Sequence, residues 1–404
     1  MQTSLTESIK ATPEGIEADA ILRTCTHCGF CLPACPTYQL LGNELDSPRG
    51  RIYLIKQMLE GEPVTEKTQL HLDRCLTCRA CETACPSGVQ YGHLVDIGRG
   101  IVEKKVGRRY LPSLQRNMLR RILLSSAIFG GLLKLGRFTG AVKRAAKITA
   151  SRPQTRHERT MLVLEGCVQP ALQPNINAAA ARLLDKLGIS LMRAEQAGCC
   201  GALSYHLNAQ QEGLDHMRRN IDAWLPYLDS GAEAIVMTAS GCGVTVKEYG
   251  HLLKHDPDYA GKAARVSAAT KDVSEILLAE KTSLMELLGK AVIVPNASWK
   301  VAFHSPCTLQ HGQKITGVIE AMLTVAGFEL TPVADPALCC GSAGTYSILQ
   351  KELSLQLRSN KIGSLESGAP DCIVTANIGC LTHLQSGTTT PVKHWVELLE
   401  ERLA

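Results

Sequence analysis

Residues 25–36 read Cys25-Thr-His-Cys28-Gly-Phe-Cys31-Leu-Pro-Ala-Cys35-Pro36, and residues 75–86 repeat the device as Cys75-Leu-Thr-Cys78-Arg-Ala-Cys81-Glu-Thr-Ala-Cys85-Pro86. Each run has the spacing Cys-x2-Cys-x2-Cys-x3-Cys-Pro, and every cysteine of the first has a counterpart at an offset of 50. Three thiolates at three-residue steps can wrap one face of a cubane 4Fe–4S cluster from a single tight loop. The fourth lies beyond that loop's reach and serves the other cluster of a pair. The spacing therefore predicts one cluster on Cys25, Cys28, Cys31 and Cys85, and a second on Cys75, Cys78, Cys81 and Cys35. Zinc modules use two separated Cys-x2-Cys pairs for one tetrahedral ion, with no use for a third cysteine in step or a trailing proline.

The rest of the composition agrees with this reading. A chain of 404 residues with 45% hydrophobic and 20% charged residues forms two or three soluble domains with ample core. Its 17 cysteines are an odd number, which full disulfide pairing cannot use. The N-terminus, MQTSLTESIKATPEGIEADA, is polar with no apolar run, so the expected compartment is the reducing cytosol, where clustered cysteines are metal ligands or redox groups. Between the two runs, Leu54, Ile55, Met58 and Leu59 recur at helical spacing and Gly61 with Pro63 ends the pattern, which predicts a helical cluster domain. Arg49 and Arg51 open that helix, either offsetting thiolate charge or lying on a solvated helix start.

From Lys104 to Arg159 there are fifteen Lys and Arg against one acid, Glu158, in a chain whose net charge is only +5. At its centre lies the apolar run Ile122–Leu133, too short to cross a bilayer, which needs about 20 residues. Flanked by Arg120, Arg121, Lys134, Arg137, Lys143 and Arg144, it predicts a short apolar helix lying in an anionic interface. The competing reading is a basic linker packed on acidic parts of the chain. Nucleic acid is not an expected partner, because Tyr110, Phe129 and Phe138 are scattered and no binding motif is present.

A second duplication occupies the remainder. Cys167, Cys199 and Cys200 are matched at an offset of 140 by Cys307, Cys339 and Cys340, and Cys242 is matched by Cys380 at 138. Each half opens with a strand-like run ending in cysteine (MLVLEGC, VAFHSPC), continues through a helical stretch to a Cys-Cys-Gly loop, and closes a second apolar strand with Gly-Cys. Alternating strands and helices predict an α/β layer per half, with Cys167, Cys242, Cys307 and Cys380 at the carboxyl ends of strands where ligands gather. Glycine after the cysteine pair permits a backbone conformation that lets adjacent thiolates face one site. Four cysteines per half can hold an iron–sulfur centre or zinc, whereas Cys372, unmatched and inside an apolar strand, is a core residue.

These motifs resemble a family. Two cluster runs followed by two Cys-Cys-Gly halves are similar to the iron–sulfur subunits grouped with heterodisulfide reductase, which include those of anaerobic glycerol-3-phosphate dehydrogenase, lactate utilisation systems and glycolate oxidase. The wording resembles the glycolate oxidase branch most closely, in SPRGRIYLIK (47–56), HLDRCLTCRACETACPSG (71–88), LEGCVQP (164–170), AGCCGALSYHLNAQ (197–210), HSPCTLQH (304–311) and LCCGSAGTY (338–346). One departure stands out: Ala239 and Asn377 occupy the place where the wider family has the first cysteine of a closing Cys-x2-Cys, so a five-thiolate site does not carry over. His304, His311 and His383 lie near the cysteines of the second half and make it the better candidate for metal.

The resemblance, which spans the chain apart from its basic middle stretch, together with the residue patterns predicts a multidomain chain: an α-helical ferredoxin-like domain with two cubane clusters (1–103), a basic amphipathic linker (104–159), and repeated α/β Cys-Cys-Gly domains (160–295 and 296–404). It implies an electron-transfer subunit without a substrate-oxidising site of its own. Electrons from glycolate oxidation to glyoxylate would arrive from FAD on partner subunits and leave toward a quinone-linked acceptor, with the chain peripheral on the cytoplasmic face of the inner membrane. No Gly-x-Gly-x-x-Gly follows a predicted strand and no P-loop occurs, so flavin or nucleotide binding is not expected in this chain. A lactate or glycerol-3-phosphate dehydrogenase subunit, a self-contained disulfide or quinone reductase, and a scaffold with purely structural clusters are the other readings.

Overall fold

The structure, a computed structural model, describes residues 1–138, 151–290 and 299–403. The cluster runs lie in a helical module. Ser47 accepts a hydrogen bond from the Gly50 amide (3.0 Å) and Pro48 takes the first helical position, so the helix Pro48–Leu59 starts where the sequence caps it. It ends before Gly61, whose φ is +97°. Its inner face carries Ile55, Met58 and Leu59, all fully buried, each burial stabilising by about 2 kcal/mol. Those side chains pack against the long helix Tyr91–Val106, which also contacts Pro13–Thr24 and Glu66–Asp73.

Two helices follow, Tyr110–Leu124 and Ser126–Phe138. The expected single apolar helix over 122–133 is therefore two pieces. Ser125 is extended (φ −93°, ψ 102°), and its hydroxyl accepts from the Ile128 amide (3.3 Å), so the serine caps the second helix and interrupts the first. Lys143 and Arg144 lie outside the described residues, as does the boundary expected at 295/296.

Among the described residues the remainder holds two parallel four-stranded sheets. The first comprises β1 (Arg159–Val163), β2 (Ile189–Arg193), β3 (Ile235–Met237) and β4 (Thr270–Asp272) in the order β2-β1-β3-β4. The second comprises β5 (Lys300–His304), β6 (Glu329–Leu330), β7 (Cys372–Thr375) and β8 (Val392–His394) in the order β6-β5-β7-β8. The two orders are the same topology. The central strands are covered on both faces, which is why they read as unbroken apolar runs. The halves are not separate globules. One apolar core joins Met161 and Val236 of the first sheet to Val301, Phe303 and Val374 of the second, with Trp395 buried among them. Cys372 is fully buried in β7, as a core residue should be.

The helical module docks on the first half through charge. Glu248 accepts from Arg79 Nη1 (2.7 Å) and His93 Nε2 (2.8 Å), while Glu17 pairs with Lys254 (2.7 Å) and His251 (2.9 Å). Burial alone would raise both carboxyls, but the bonds from His93 and Arg79, and from His251 and Lys254, outweigh it and hold each at about 2, below the ordinary 4.5. A depressed carboxyl stabilises the fold fully above its unfolded value and loses that contribution as pH falls toward its folded one. Glu248→Gln should therefore cost about 2 kcal/mol near neutrality. The gap between parent and variant in urea-unfolding free energy should close as pH is lowered from 5 toward 3, and a pH-independent gap would dismiss the ion pair as its source.

Candidate iron–sulfur sites

The two cysteine loops share a backbone as well as a spacing. His27 (φ 56°) and Gly29 (φ 89°) are left-handed, and so are their counterparts fifty residues on, Thr77 (φ 54°) and Arg79 (φ 61°). Left-handed turns aim successive amides at one centre, forming an anion-binding nest. The Thr77 amide lies 3.4 Å from Cys75 Sγ, and the amides of His27, Phe30 and Ala80 donate likewise to Cys25, Cys28 and Cys78. Donors placed on sulfur in this way suit a thiolate bound to iron. Arg79 adopts the left-handed conformation without glycine, at a cost of about 1 kcal/mol.

Cys25, Cys28, Cys31 and Cys85 line one cavity, although Cys85 belongs to the second run in sequence, and Cys81 of that run lines it as well. Cys75, Cys78 and Cys35 in turn act electrostatically on Cys81. Burial pushes Cys31 up to about 11, and Cys78 and Cys81 well above the ordinary thiol range. Buried thiols of this kind stay neutral unless a cation such as an iron centre stabilises the ionised form. The exposed Cys28 differs, held below the ordinary value by the Phe30 amide.

The second group is walled by cations that sequence reading only half saw. Arg51 is 1% exposed, which rules out a solvated helix start for it. Its Nη1 lies 4.0 Å from Cys35 Sγ, its Nη2 donates to Thr37 (3.1 Å) and pairs with the fully buried Asp46 (3.4 Å), and its Nε donates to His71 O (2.7 Å). Arg99 donates to the carbonyls of Leu72 (2.8 Å) and Cys75 (2.6 Å) and to Thr77 Oγ1 (2.9 Å), fixing the loop from behind. Tyr91 Oη reaches Cys75 Sγ at 3.7 Å. Arg49, by contrast, is bound to Glu44 (2.8 Å) near the loop of the first run. Arg99 and Tyr91 were legible only as members of an amphipathic helix.

In the first half, sulfur contacts link Cys167 to Cys199, Cys199 to Cys200, and Cys200 to Cys242. In the second, Cys307 and Cys339 are 3.9 Å apart, and contacts continue from Cys339 to Cys340 and from Cys340 to Cys380. Four thiols thus meet in each half. The glycine that follows each pair is left-handed, Gly201 at φ +90° and Gly341 at φ +84°, and a Cβ there would sit 2.6 Å from the carbonyl of Gly213 or Ser354. Cys242 and Cys380 do not stand on strand ends as expected. They lie in the first turn of the helices Ser240–Lys247 and Ile378–Gln385, because the chain turns into a helix two residues after each strand and carries them past the sheet edge. Of the three histidines, His311 is bonded to Thr83 (2.9 Å) and His383 to Ser354 (3.1 Å), while His304 alone groups with the thiols Cys340 and Cys380.

These sites are neighbours. A cavity of about 580 Å³ is lined by Cys75, Cys78 and all eight matched cysteines of the two halves. Cys78 packs in one apolar cluster with Cys307 and Cys339, together with Leu76 and Tyr346.

Such a molecule is an iron–sulfur protein of the twin cysteine-rich-domain class: residues 21–89 match the 4Fe-4S dicluster domain, and residues 161–247 and 301–385 match the cysteine-rich domain. The chain belongs to the family of glycolate oxidase iron–sulfur subunits. It is 55% identical to the glycolate oxidase iron-sulfur subunit of Escherichia coli strain K12, covering 100% of this chain and 99% of that one. It is 31% identical to the probable glycolate oxidase iron-sulfur subunit of Bacillus subtilis strain 168, over 91% of this chain and 89% of the relative. Lactate utilization protein A of Bacillus licheniformis is 27% identical, over 58% of this chain and 97% of its own length.

Arg51→Met should lower the midpoint potential of the centre beside Cys35 and Cys75, on the order of 50–100 mV for a lost unit charge at an effective dielectric near 20. The centre beside Cys28 should keep its potential. An EPR-monitored redox titration that finds both unchanged would remove Arg51 from the electrostatics of the site.

Proposed function

We propose that this chain is the electron-transfer subunit of a flavin-dependent 2-hydroxy-acid dehydrogenase, relaying electrons from partner FAD as glycolate is oxidised to glyoxylate, toward a quinone-linked acceptor. In this reading Cys25, Cys28, Cys31 and Cys85 hold one 4Fe–4S cluster, Cys75, Cys78, Cys81 and Cys35 hold the second, and the four-cysteine groups of the two halves hold further iron–sulfur centres. The working segments are 1–103, 104–159, 160–295 and 296–404. Cubane clusters supply one-electron transfer with little rearrangement. The chain's part is to fix sulfur positions, supply amide and arginine donors, and exclude water.

The observation that carries the reading is that Cys78 shares an apolar cluster with Cys307 and Cys339, so a thiol of the dicluster module abuts the second half. The order of transfer follows from exposure. Cys28 is exposed and Phe30 beside it is 65% exposed, a surface for a partner flavoprotein, whereas the second group is buried against the halves. The lactate reading is weaker, since those relatives match little more than half of the chain.

No helix among the described residues is long and apolar enough to cross a membrane. The helices Tyr110–Leu124 and Ser126–Phe138 nevertheless present Tyr110, Leu111, Leu114 and Met118, then Ile128, Leu132 and Leu135, on exposed faces at helical spacing. Arg121 and Lys134 are exposed on the same pair, whereas Arg109, Arg116 and Arg120 are taken up by Glu66 (3.2 Å), Asp73 (3.0 Å) and Glu212 (2.8 Å). An apolar face edged by free cations suits peripheral binding to an anionic bilayer.

Cys28→Ser should remove one cluster and uncouple glycolate oxidation from acceptor reduction in the reconstituted complex, while the partner flavin still reduces. Acceptor reduction at the parental rate would exclude that cluster from the path. Leu111→Gln combined with Leu132→Gln should abolish cosedimentation with phosphatidylglycerol vesicles without loss of iron, and undiminished sedimentation would end the membrane assignment.

A further inference from the structure

His304 closes β5 and is 1% exposed. Its Nδ1 is 2.9 Å from Thr375 Oγ1 on the neighbouring strand β7, which fixes the ring. Its Nε2 is buried and has no hydrogen-bond partner among the described residues. A ring nitrogen of His304 and the sulfurs of Cys340 and Cys380 all lie within 4.8 Å of one another. Since Thr375 occupies Nδ1, the nitrogen left to the thiols is Nε2.

Comparison of the two halves shows what is unusual. At the offsets of 140 and 138 that relate the cysteines, His304 corresponds to Leu164 and Thr375 to Met237. Lys361 corresponds likewise to Ile221. All six are buried. Three apolar residues in the first half therefore stand where the second has an imidazole, a hydroxyl and an ammonium. Lys361 Nζ donates to the carbonyls of Asp335 (2.7 Å) and Pro336 (3.2 Å), and it feels the charges of the Asp335 carboxylate and then of Cys340, Cys339 and Cys380. An unpaired buried nitrogen costs about 1–3 kcal/mol, and a buried cation costs more unless negative charge lies near. An anionic thiolate–iron centre offsets both, by accepting the nitrogen lone pair and by opposing the ammonium. The hydrogen bond to Thr375 is the orienting contact that ligating histidines usually make through their other nitrogen.

We propose that His304 Nε2 is a nitrogen ligand of the iron–sulfur centre gathered by Cys307, Cys339, Cys340 and Cys380. The two halves then hold chemically different centres, with thiolates alone in the first and thiolates plus imidazole in the second. His304 supplies a fifth donor in the half where Asn377 stands in place of a closing cysteine, Asn377 itself donating to Cys380 Sγ at 3.4 Å. The inference rests on the reading that the halves carry iron.

The test is made on the full chain purified anaerobically, with histidine nitrogens in natural abundance and as 15N. Iron is quantified, and the reduced protein is examined by ENDOR for strongly coupled nitrogen. The parent should contain more than about eight irons, the content of two cubanes, and show a nitrogen coupling that changes on 15N-histidine labelling. His304→Leu should lose that coupling and keep both cubane signals. The double variant His304→Leu, Thr375→Met, which installs the apolar pair of the first half, should do the same while remaining folded by circular dichroism. About eight irons in the parent, unchanged in Cys339→Ser, would overturn the reading of the halves and this ligand with it. Extra iron lost in Cys339→Ser but with no nitrogen coupling, or a coupling that survives both His304 variants, would overturn His304 alone.

Discussion

Thiols that must act as thiolates are buried throughout this molecule, and most of its architecture answers that constraint. Burial favours the neutral form, as the upward displacement of Cys78 and Cys81 shows, and at Cys307 contact with the Cys339 thiol raises the thiol ahead of burial. The fold opposes it with local devices: left-handed loops that aim amides at sulfur, glycines that let adjacent cysteines face one point, and guanidinium groups of Arg51 and Arg99 set behind the second loop. The last contribution must come from the metal. Bound iron would thus add to the stability of the core.

Duplication supplied the geometry twice, and context then made the copies unlike. The two cysteine loops agree in spacing and in dihedral angles, yet Cys28 is exposed while Cys78 is packed against Cys307 and Cys339. The two sheets agree in strand order, yet the site beside the second holds His304, Thr375 and Lys361 where the first has leucine, methionine and isoleucine. A relay benefits from such differences, because identical centres would have no direction. The potentials of iron–sulfur centres respond to charge, hydrogen bonding and exposure, and these are the properties in which the copies differ.

Charge is redistributed by folding in a way that a local count conceals. The basic stretch 104–159 looks unopposed along the chain, but Arg108 bridges Asp73 (2.7 Å) and Glu103 (2.8 Å), Arg116 shares Asp73, and Arg120 reaches Glu212. Much of its charge therefore fastens the linker to the acidic remainder. Among the described residues, the helices Tyr110–Leu124 and Ser126–Phe138 expose an apolar face with a few cations at its border, a more selective surface than the sequence count suggests.

The sequence by itself determined the cysteine groups, the two duplications, the helical character of the first module and the alternating layers of the second. Those features are local: thiol spacing, the caps at Ser47 and Gly61, and runs of apolar residues dictate them with little help from distant contacts. The crossed pairing of Cys85 with the first run and Cys35 with the second is an expectation of the spacing, because a three-residue step leaves the fourth cysteine out of reach. Only tertiary structure decided that the two halves share one core, that Arg51 and Arg99 wall the second loop, that Glu248 clamps Arg79 and His93, and that His304 rather than His311 or His383 meets the thiols. Each of these joins residues far apart in the chain, and such pairings depend on how layers stack and which face of a helix is covered. The one local trace was the exchange of Leu164 for His304 between matched halves, whose meaning appears when the strand beside it places Thr375 against the ring and leaves a single nitrogen facing sulfur.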